Sequence, residues 1–224
     1  MTDRQARLRP DRWRLITLAG ALMILGVWAC SDPAGLGLAV FKDPSDIAII
    51  TLDSSAPALD TDSVSFYAVE GQTRSAELYF DSAGVRVDRL LRFEVGKSTL
   101  DQLPNGRRVR SGDSVLITIR VTKPGSLQFD FSPSGLRFDH DSPAILTIGY
   151  RRALMAVTAP AAMFRDPGSR SGGSGSGHGD ETDLAIWLQE TSSSPFLRLE
   201  SDVDTQAKEI EAAIPGFSRY AVAY

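Results

Sequence analysis

In DSVLITIRV, residues 113–121, apolar and polar side chains alternate more cleanly than elsewhere in the chain. Its apolar members stand at every second position: Val115, Ile117, Ile119 and Val121. Since successive side chains of a β-strand point to opposite faces, this spacing puts all four on one face of a sheet. The stretch therefore predicts a strand with one buried face and one face toward water.

Other short apolar stretches lie on both sides of this strand. They are SVSFYAVE (63–70), SAELYF (75–80), RLLRFEV (89–95), SLQFDF (126–131), AILTIGY (144–150), LAIWLQE (184–190), FLRL (196–199) and SRYAVAY (218–224). Turn segments separate several of them: PNG (104–106), SGD (111–113), KPG (123–125) and PSG (133–135). Many short strands at regular spacing are typical of an antiparallel sandwich or barrel. We expect an all-β fold, an antiparallel β-sandwich.

Two local details carry separate predictions. SVSFYAVE and SAELYF are joined by the short segment GQTR, in which Gly71 marks a turn, and this predicts a β-hairpin. Further along, DTQAKEIEAAIPG (204–216) is ambiguous. Ile210 and Ile214 have helical spacing, but Ala212 between them also gives a strand alternation. Because Pro215 and a last strand follow, we predict a strand.

The first 29 residues have the pattern of a secretory signal peptide. Five arginines precede an apolar run from Leu15 to Ala29. This run is shorter than the roughly 20 residues that a membrane-spanning helix needs. A basic head with a short apolar core predicts a signal peptide over 1–29 rather than a plain transmembrane anchor.

The segment Val27-Trp28-Ala29-Cys30 resembles the lipobox of bacterial lipoproteins, which has an aliphatic residue, a small residue and then a cysteine. The resemblance implies that Cys30 receives a diacylglyceryl group, that the chain is cut before it, and that the new amino terminus is acylated. Two or more acyl chains hold a protein stably on a membrane. An inert buried thiol is the alternative, but Cys30 is the only cysteine and an exported free thiol is open to oxidation.

Residues 30–62 are predicted to be a flexible, lipid-anchored tether, since three prolines stand there among Ser, Asp and Ala. Ser31 occupies the place where an aspartate would resemble the inner-membrane retention signal. We therefore expect the chain in the cell envelope, at the outer membrane rather than the inner one. Within the tether, DIAIITLD (46–53) is apolar and β-branched, which leaves an added strand open.

Residues 63–224 are predicted to form the sandwich domain. The stretch MFRDPGSRSGGSGSGHGDETD (163–183) interrupts it and is too rich in glycine and serine to pack in a core. Loops of this length are uncommon in compact domains and are either functional or disordered. We expect a disordered loop between two strands.

The stretch FSPSGLRFDHDSPAILTI (131–148) resembles the signature of the ZU-five domain, the β-sandwich module of zonula occludens proteins, netrin receptors and ankyrins. The matching positions are Ser132-Pro133, Gly135-Leu136, Phe138 and Pro143. GFSRYAVAY (216–224) is similar to the closing strand of that family. The resemblance implies a β-sandwich over about 63–150 and 183–224.

The same segment makes local predictions. Gly135 is expected to take a positive φ at a turn, because glycine does so without steric cost. Leu136 and Phe138 are expected to point inward, and Pro143 to begin an edge or a strand.

Some ZU-five proteins cleave themselves at His-Phe-Ser, where the serine hydroxyl attacks the preceding carbonyl. Phe217 and Ser218 are present here, but Gly216 replaces the histidine, so Ser218 lacks an activating base. The chain has two histidines, His140 and His178. A Ser-His-Asp hydrolase would have to use one of them. We expect neither self-cleavage nor hydrolysis, and Phe217-Ser218 stays a weak candidate.

A metal site is a second weak candidate. His178, Asp180, Glu181 and Asp183 stand close together, and carboxylate oxygens suit Ca²⁺. Their spacing does not match a calcium loop, so we expect a solvated acidic loop and no bound metal or cofactor. Trp187 alternates within a strand and is expected in the core rather than stacked on a sugar.

Charge narrows the partners. The chain has 24 basic and 28 acidic side chains, and without residues 1–29 it has 19 and 26. This acidic balance argues against nucleic acid. The sequence predicts a non-catalytic envelope lipoprotein that binds a protein or a polysaccharide, or that has a structural role. The alternative is a self-processing or metal-dependent domain that uses Ser218 or the acidic loop 178–183.

Overall fold

A computed structural model of the chain describes residues 39–154 and 180–224, and their regular structure is β-strand apart from one 3₁₀ turn, Glu181–Asp183. The strands are β1 (Phe41–Lys42), β2 (Thr51–Leu52), β3 (Ser63–Val69), β4 (Arg74–Ser82), β5 (Val85–Val95), β6 (Leu100–Gln102), β7 (Ser114–Val121), β8 (Gln128–Ser132), β9 (Arg137–Phe138), β10 (Ala144–Gly149), β11 (Ala153–Leu154), β12 (Ala185–Gln189), β13 (Phe196–Arg198), β14 (Asp202–Asp204), β15 (Glu209–Ile214) and β16 (Arg219–Ala223). Within these two ranges, no helix has the length and apolar character that crossing a membrane requires.

Two large antiparallel sheets form the body of the protein. The seven-stranded sheet has the order β1-β13-β12-β16-β8-β7-β3, and the five-stranded sheet has the order β14-β15-β10-β5-β4. Two smaller pairs, β11-β2 and β6-β9, complete the pattern. The prediction of an all-β antiparallel fold is confirmed.

The main apolar core of the described residues lies between the two sheets. Ile117 and Ile119 of β7 are fully buried, as the alternation of the opening stretch predicts. From the other sheet, Phe93 of β5 meets Phe131 of β8 edge-on, with ring centroids 5.3 Å apart. Edge-to-face contacts of this kind favour one arrangement of the rings over others, so they help to fix how the sheets are placed.

The ambiguous segment before Pro215 is the strand β15, as predicted. Ile210, Ala212 and Ile214 are buried, and the residues between them face outward. β15 pairs with β10 on one side and β14 on the other. A strand between two others with one buried face requires an apolar residue at every second position. The segment therefore adopts the strand alternation rather than the helical spacing.

The predicted hairpin between SVSFYAVE and SAELYF is wrong. β3 pairs with β7, whereas β4 pairs with β5 in the other sheet. The chain crosses from sheet to sheet through the turn at Gly71, whose φ is +87°. Alternation shows which face of a strand is apolar, but it does not show which strand lies beside it. The apolar faces of β3 and β4 oppose each other across the core, because the two strands belong to different sheets.

Part of the segment predicted as a tether belongs to the folded body. The amide of Ile50 donates to the carbonyl of Val222 (2.9 Å), and the amide of Leu127 donates to the carbonyl of Ile50 (2.9 Å). The added strand left open over 46–53 takes the form of β2 and a bridge between Ile49 and Ala223. The segment is ordered because burying its apolar side chains releases more free energy than the chain loses by becoming fixed. Residues 1–38, with the predicted signal peptide and Cys30, lie outside the described ranges.

Glu70, in the crossing turn, gives a testable pH dependence. Its Oε2 atom is buried and has no hydrogen-bond partner in the described part of the chain. Burial raises the pKa of this carboxyl above its usual value. The folded state therefore holds the proton more tightly than the unfolded state, and stability falls as the pH rises from the ordinary range into the raised one.

We expect Glu70→Gln to raise the free energy of unfolding at pH 7 by up to about 1 kcal/mol, because it removes a charge that burial disfavours. At a pH low enough to protonate Glu70, the gain should vanish. Thermal unfolding across the pH range measures this, with Glu200→Gln on an exposed side chain as the matched control. A loss of stability at pH 7, or an equal gain at every pH, would contradict the assignment.

Candidate functional site

A cleft of about 660 Å³ lies between the segment 52–62 and the end of β7 with its following turn. Its apolar lining includes Leu52, Ala56 and Leu59 from the segment and Val121 from β7. Clefts of this size, mostly apolar with a few polar groups, are the usual form of a binding site.

Backbone hydrogen bonds hold the segment at several points. At the start of the segment, the amide of Leu52 donates to the carbonyl of Gly125 (2.7 Å) in the turn after β7. This bond ties the segment to the seven-stranded sheet. At the far end, Asp60 donates to the carbonyl of Tyr79 (3.0 Å), and Asp81 donates to the carbonyl of Ala58 (2.8 Å). The segment that forms this wall of the cleft is therefore fixed at both of its ends.

Charged side chains of both signs line the cleft. Asp53 accepts hydrogen bonds from the amide (2.7 Å) and the hydroxyl (2.6 Å) of Ser55. These bonds lower the pKa of Asp53 below its usual value, so it is ionised at neutral pH. Asp62 and Arg120 also line the cleft, and both are exposed. The site combines apolar surface with carboxylates and one guanidinium group.

No pattern in the sequence predicts this cleft. Its longer wall comes from residues that were predicted to be a tether, and a tether has no fixed surface. The available signal was the apolar character of Leu52 and Leu59, which face the folded body rather than water. Leu52 and Leu59 are seven residues apart, a spacing that also occurs on one face of a helix, but Pro57 between them disfavours a helix, so the two leucines indicate no regular element.

The weak self-cleavage candidates have structural roles. Phe217 is buried in the aromatic cluster, and its amide donates to the carbonyl of Leu136 (3.0 Å). The carbonyl of Ser218 accepts from the amide of Phe131 (3.0 Å). A Cβ atom at Gly216 would lie 2.7 Å from the carbonyl oxygen of Leu136. A histidine in place of Gly216 would therefore require the backbone to move.

Two of the weak metal candidates have other bonding partners. Asp180 caps the 3₁₀ turn by accepting from the amide of Thr182, and Glu181 forms an ion pair with Lys208 at 2.7 Å. His178 lies outside the described residues. In the two described ranges, no group of three or more His, Cys, Asp or Glu side chains is placed to hold a metal ion. The other histidine, His140, is fully exposed beside Asp141.

The local predictions for the segment 131–148 agree with the structure. Gly135 has a φ of +84°, which provides the expected turn. Leu136 and Phe138 are buried, and Pro143 directly precedes β10. The segment thus packs as a sandwich segment should.

Trp187 is buried, with 2% of its surface exposed. Its indole nitrogen donates to the carbonyl of Ala223 (3.1 Å), and the ammonium of Lys42 lies 5.1 Å from the ring centroid. Ile47 and Ile49 pack against the small apolar cluster to which the ring belongs. It therefore offers no open face on which a sugar could stack.

Comparison with known protein families, with curated proteins and with solved structures finds no match for this chain. The lipobox and the likeness to the ZU-five domain stay predictions that depend on sequence motifs. The function of the cleft has to be argued from its own residues.

Proposed function

We propose that this chain is a non-catalytic lipoprotein of the cell envelope, and that its sandwich binds a segment of a partner protein in the cleft beside residues 52–62. The cleft carries the proposal, because it combines apolar lining with the charges of Asp53, Asp62 and Arg120. Apolar contact supplies affinity, and a few placed charges supply orientation and specificity.

A protein segment suits the cleft better than a polysaccharide. None of the described residues that line it has an aromatic ring. Trp187, which was expected in the core rather than stacked on a sugar, is buried. An aliphatic lining with charges of both signs matches the side chains of a polypeptide.

The anchor keeps the cleft near the membrane. From Cys30 to the first described residue, Ala39, a fully extended chain spans at most about 30 Å. A triacylated Cys30 would hold that end in the bilayer. The partner is therefore a protein within or close to the same membrane.

Cross-linking in intact cells tests the binding site. A photoreactive amino acid at Ala56, inside the cleft, should form an adduct with one protein, whereas the same group at the exposed Glu200 should not. Mass spectrometry of the adducts identifies what is joined. Equal adducts at both positions, no adduct at Ala56, or an adduct with carbohydrate alone would overturn the proposal.

The same cells test the anchor. The N-terminal peptide from the membrane fraction should begin at Cys30 and carry the lipid mass, and Cys30→Ala should remain uncut and unlipidated and leave the outer-membrane fraction. An unmodified Cys30 in the unaltered chain, or Cys30→Ala retained at the outer membrane, would refute lipid anchoring.

A further inference from the structure

The two large sheets have four outer edges, and three of them are protected in the described structure. β1 has two residues, and β14 has three, two of them the charged Asp202 and Asp204. β4 has register shifts, and the segment 58–60 covers its edge through two backbone hydrogen bonds and a bridge between Leu59 and Phe80. Short length, charge, bulges and covering segments are the usual devices that prevent a sheet edge from pairing.

The fourth edge, β3, lacks these devices at its centre. Its sequence, SVSFYAV, spans seven residues without a charge or a proline. Its pairing with β7 runs in continuous register from Ser63 to Val69. In the described ranges, no other strand lies beside it.

Unpaired backbone groups lie at the centre of this edge. Val121 donates to the carbonyl of Asp62, and Glu70 donates to the carbonyl of Asp113, so the even-numbered residues bond to β7 and the odd-numbered ones face outward. The side chain of Thr61 occupies the outward groups of Ser63.

Beyond that point, Gln72 donates to the outward carbonyl of Val69. The amides and carbonyls of Ser65 and Tyr67 are left without a backbone partner in the described part of the chain. Two adjacent outward residues give a new strand four main-chain bonding groups, with the amide of Val69 as a fifth.

An apolar surface accompanies this edge. Tyr67 is 61% exposed, and Leu116, 47% exposed, is its direct partner on β7. Cross-strand neighbours share a face of the sheet, so the two side chains form one patch beside the open edge. A strand added to β3 would extend the sheet and place its own outward side chains against this patch.

Charge at the two ends of β3 decides between occupants. Asp62 precedes the strand and Glu70 follows it. If a second copy paired antiparallel with β3 in a centred register, Asp62 of each copy would oppose Glu70 of the other, and like charges directly opposite are destabilising. A strand with Lys or Arg at both ends would be attracted instead.

We infer that β3 is an acceptor edge for an extended segment of a partner protein, with apolar side chains against Tyr67 and Leu116 and basic residues opposite Asp62 and Glu70. The inference rests on the proposed function, because it describes the segment of the partner that the sandwich holds. Asp62 also lines the cleft, so the cleft and the edge meet at the start of β3. Recognition of this kind gains affinity from main-chain hydrogen bonds and specificity from alternate side chains.

The probe is the synthetic peptide KVTVTVTVK, with EVTVTVTVE as its acidic counterpart. In the centred antiparallel register its valines share the face of Tyr67, and its terminal lysines stand opposite Asp62 and Glu70. Binding to the full purified chain is measured by fluorescence anisotropy. We expect the acidic peptide to bind at least about tenfold more weakly, and hydrogen exchange to show protection of the amides of Ser65 and Tyr67 on binding.

Two variants block strand pairing at the β3 edge in different ways. Ser65→Pro deletes an outward amide that β7 does not use, and proline is tolerated at such edge positions. Tyr67→Lys keeps the backbone and adds a charge of the kind that protects edges. Both should weaken binding of the basic peptide by at least about tenfold. Val85→Lys, at another exposed apolar residue, should leave binding unchanged.

Equal binding of the two peptides, no protection at Ser65 and Tyr67, or full affinity in Tyr67→Lys would overturn the inference. So would a dimer of the unaltered chain that Tyr67→Lys dissociates. These failures are separate from failure of the proposed function. If cross-links at Ala56 persist in Tyr67→Lys, the cleft binds its partner without the edge.

Discussion

Replacing Phe93 with alanine should lower the free energy of unfolding by about 3–5 kcal/mol, and the melting temperature by roughly 10 °C. Phe93 is fully buried on β5, a central strand of the five-stranded sheet. Its ring packs against Phe66, Phe131 and Phe217, which belong to the opposite sheet or to the chain entering it. Alanine would leave a cavity in the layer where the sheets meet, and the surrounding strands are too well paired to close it.

Chemical and thermal unfolding measure the effect, and two further variants serve as comparisons. Phe93→Leu keeps much of the volume but loses the ring contacts, so its cost should be intermediate. Tyr67→Ala removes an aromatic ring of similar size from an exposed position and should change the free energy of unfolding by less than about 1 kcal/mol. If Phe93→Ala cost no more than Tyr67→Ala, the aromatic cluster would not be the centre of the core.

Much of the fold could be predicted from the sequence because one physical rule operates in most of its strands. A strand with one face buried and one in water must alternate, and β7 and β15 do so. The segment around Gly135 was predictable for another local reason. A turn that needs a positive φ favours glycine, and the apolar residues after it have to point inward.

Strand partners were not predictable by the same rule. The turn at Gly71 joins strands of opposite sheets, while the turn before Val85 joins β4 and β5 as a hairpin. Both turns are short and contain glycine. The difference lies in which distant strand completes each sheet, and that depends on the whole core rather than on the turn.

The candidate site was hidden for a related reason. The segment 39–62 contains Pro44 and Pro57 among Ser, Asp and Ala, and this composition predicted a tether. Its structure depends on contacts with the last strand: Ile50 bonds to the backbone of Val222, and Ile49 forms a bridge with Ala223. These contacts join residues that are far apart in sequence, and local patterns carry no information about them.

The strand β12 lies under this segment and is buried on both faces. All five of its residues are buried, because Ile186 and Leu188 face the main core while Ala185 and Trp187 face a smaller cluster under Ile47 and Ile49. A strand buried on both faces has no polar alternation. Strand alternation predicted that Trp187 is buried, but its ring lies in the smaller cluster rather than in the main core, and the segment that packs there comes about 140 residues earlier.

Replacing Trp187 with alanine should cost about 3–5 kcal/mol of the free energy of unfolding. The variant removes a buried ring, its hydrogen bond to the carbonyl of Ala223, and the contact with the ammonium of Lys42. Unlike the change at Phe93, the cavity opens under the segment 39–50 rather than between the sheets. Hydrogen exchange should therefore accelerate at the amide of Ile50 more than at the amides of β5.

The spatial pattern of exchange separates this expectation from a general loss of stability. Trp187→Phe keeps part of the ring volume without the indole donor, so it should lie between the unaltered chain and the alanine variant in both stability and exchange. Because the segment 39–62 joins the predicted anchor at Cys30 to the sandwich and forms a wall of the cleft, loosening it should also reduce cross-linking from Ala56. Uniform acceleration across both sheets, with cross-linking intact, would show that Trp187 supports the body as a whole and does not hold this segment in place.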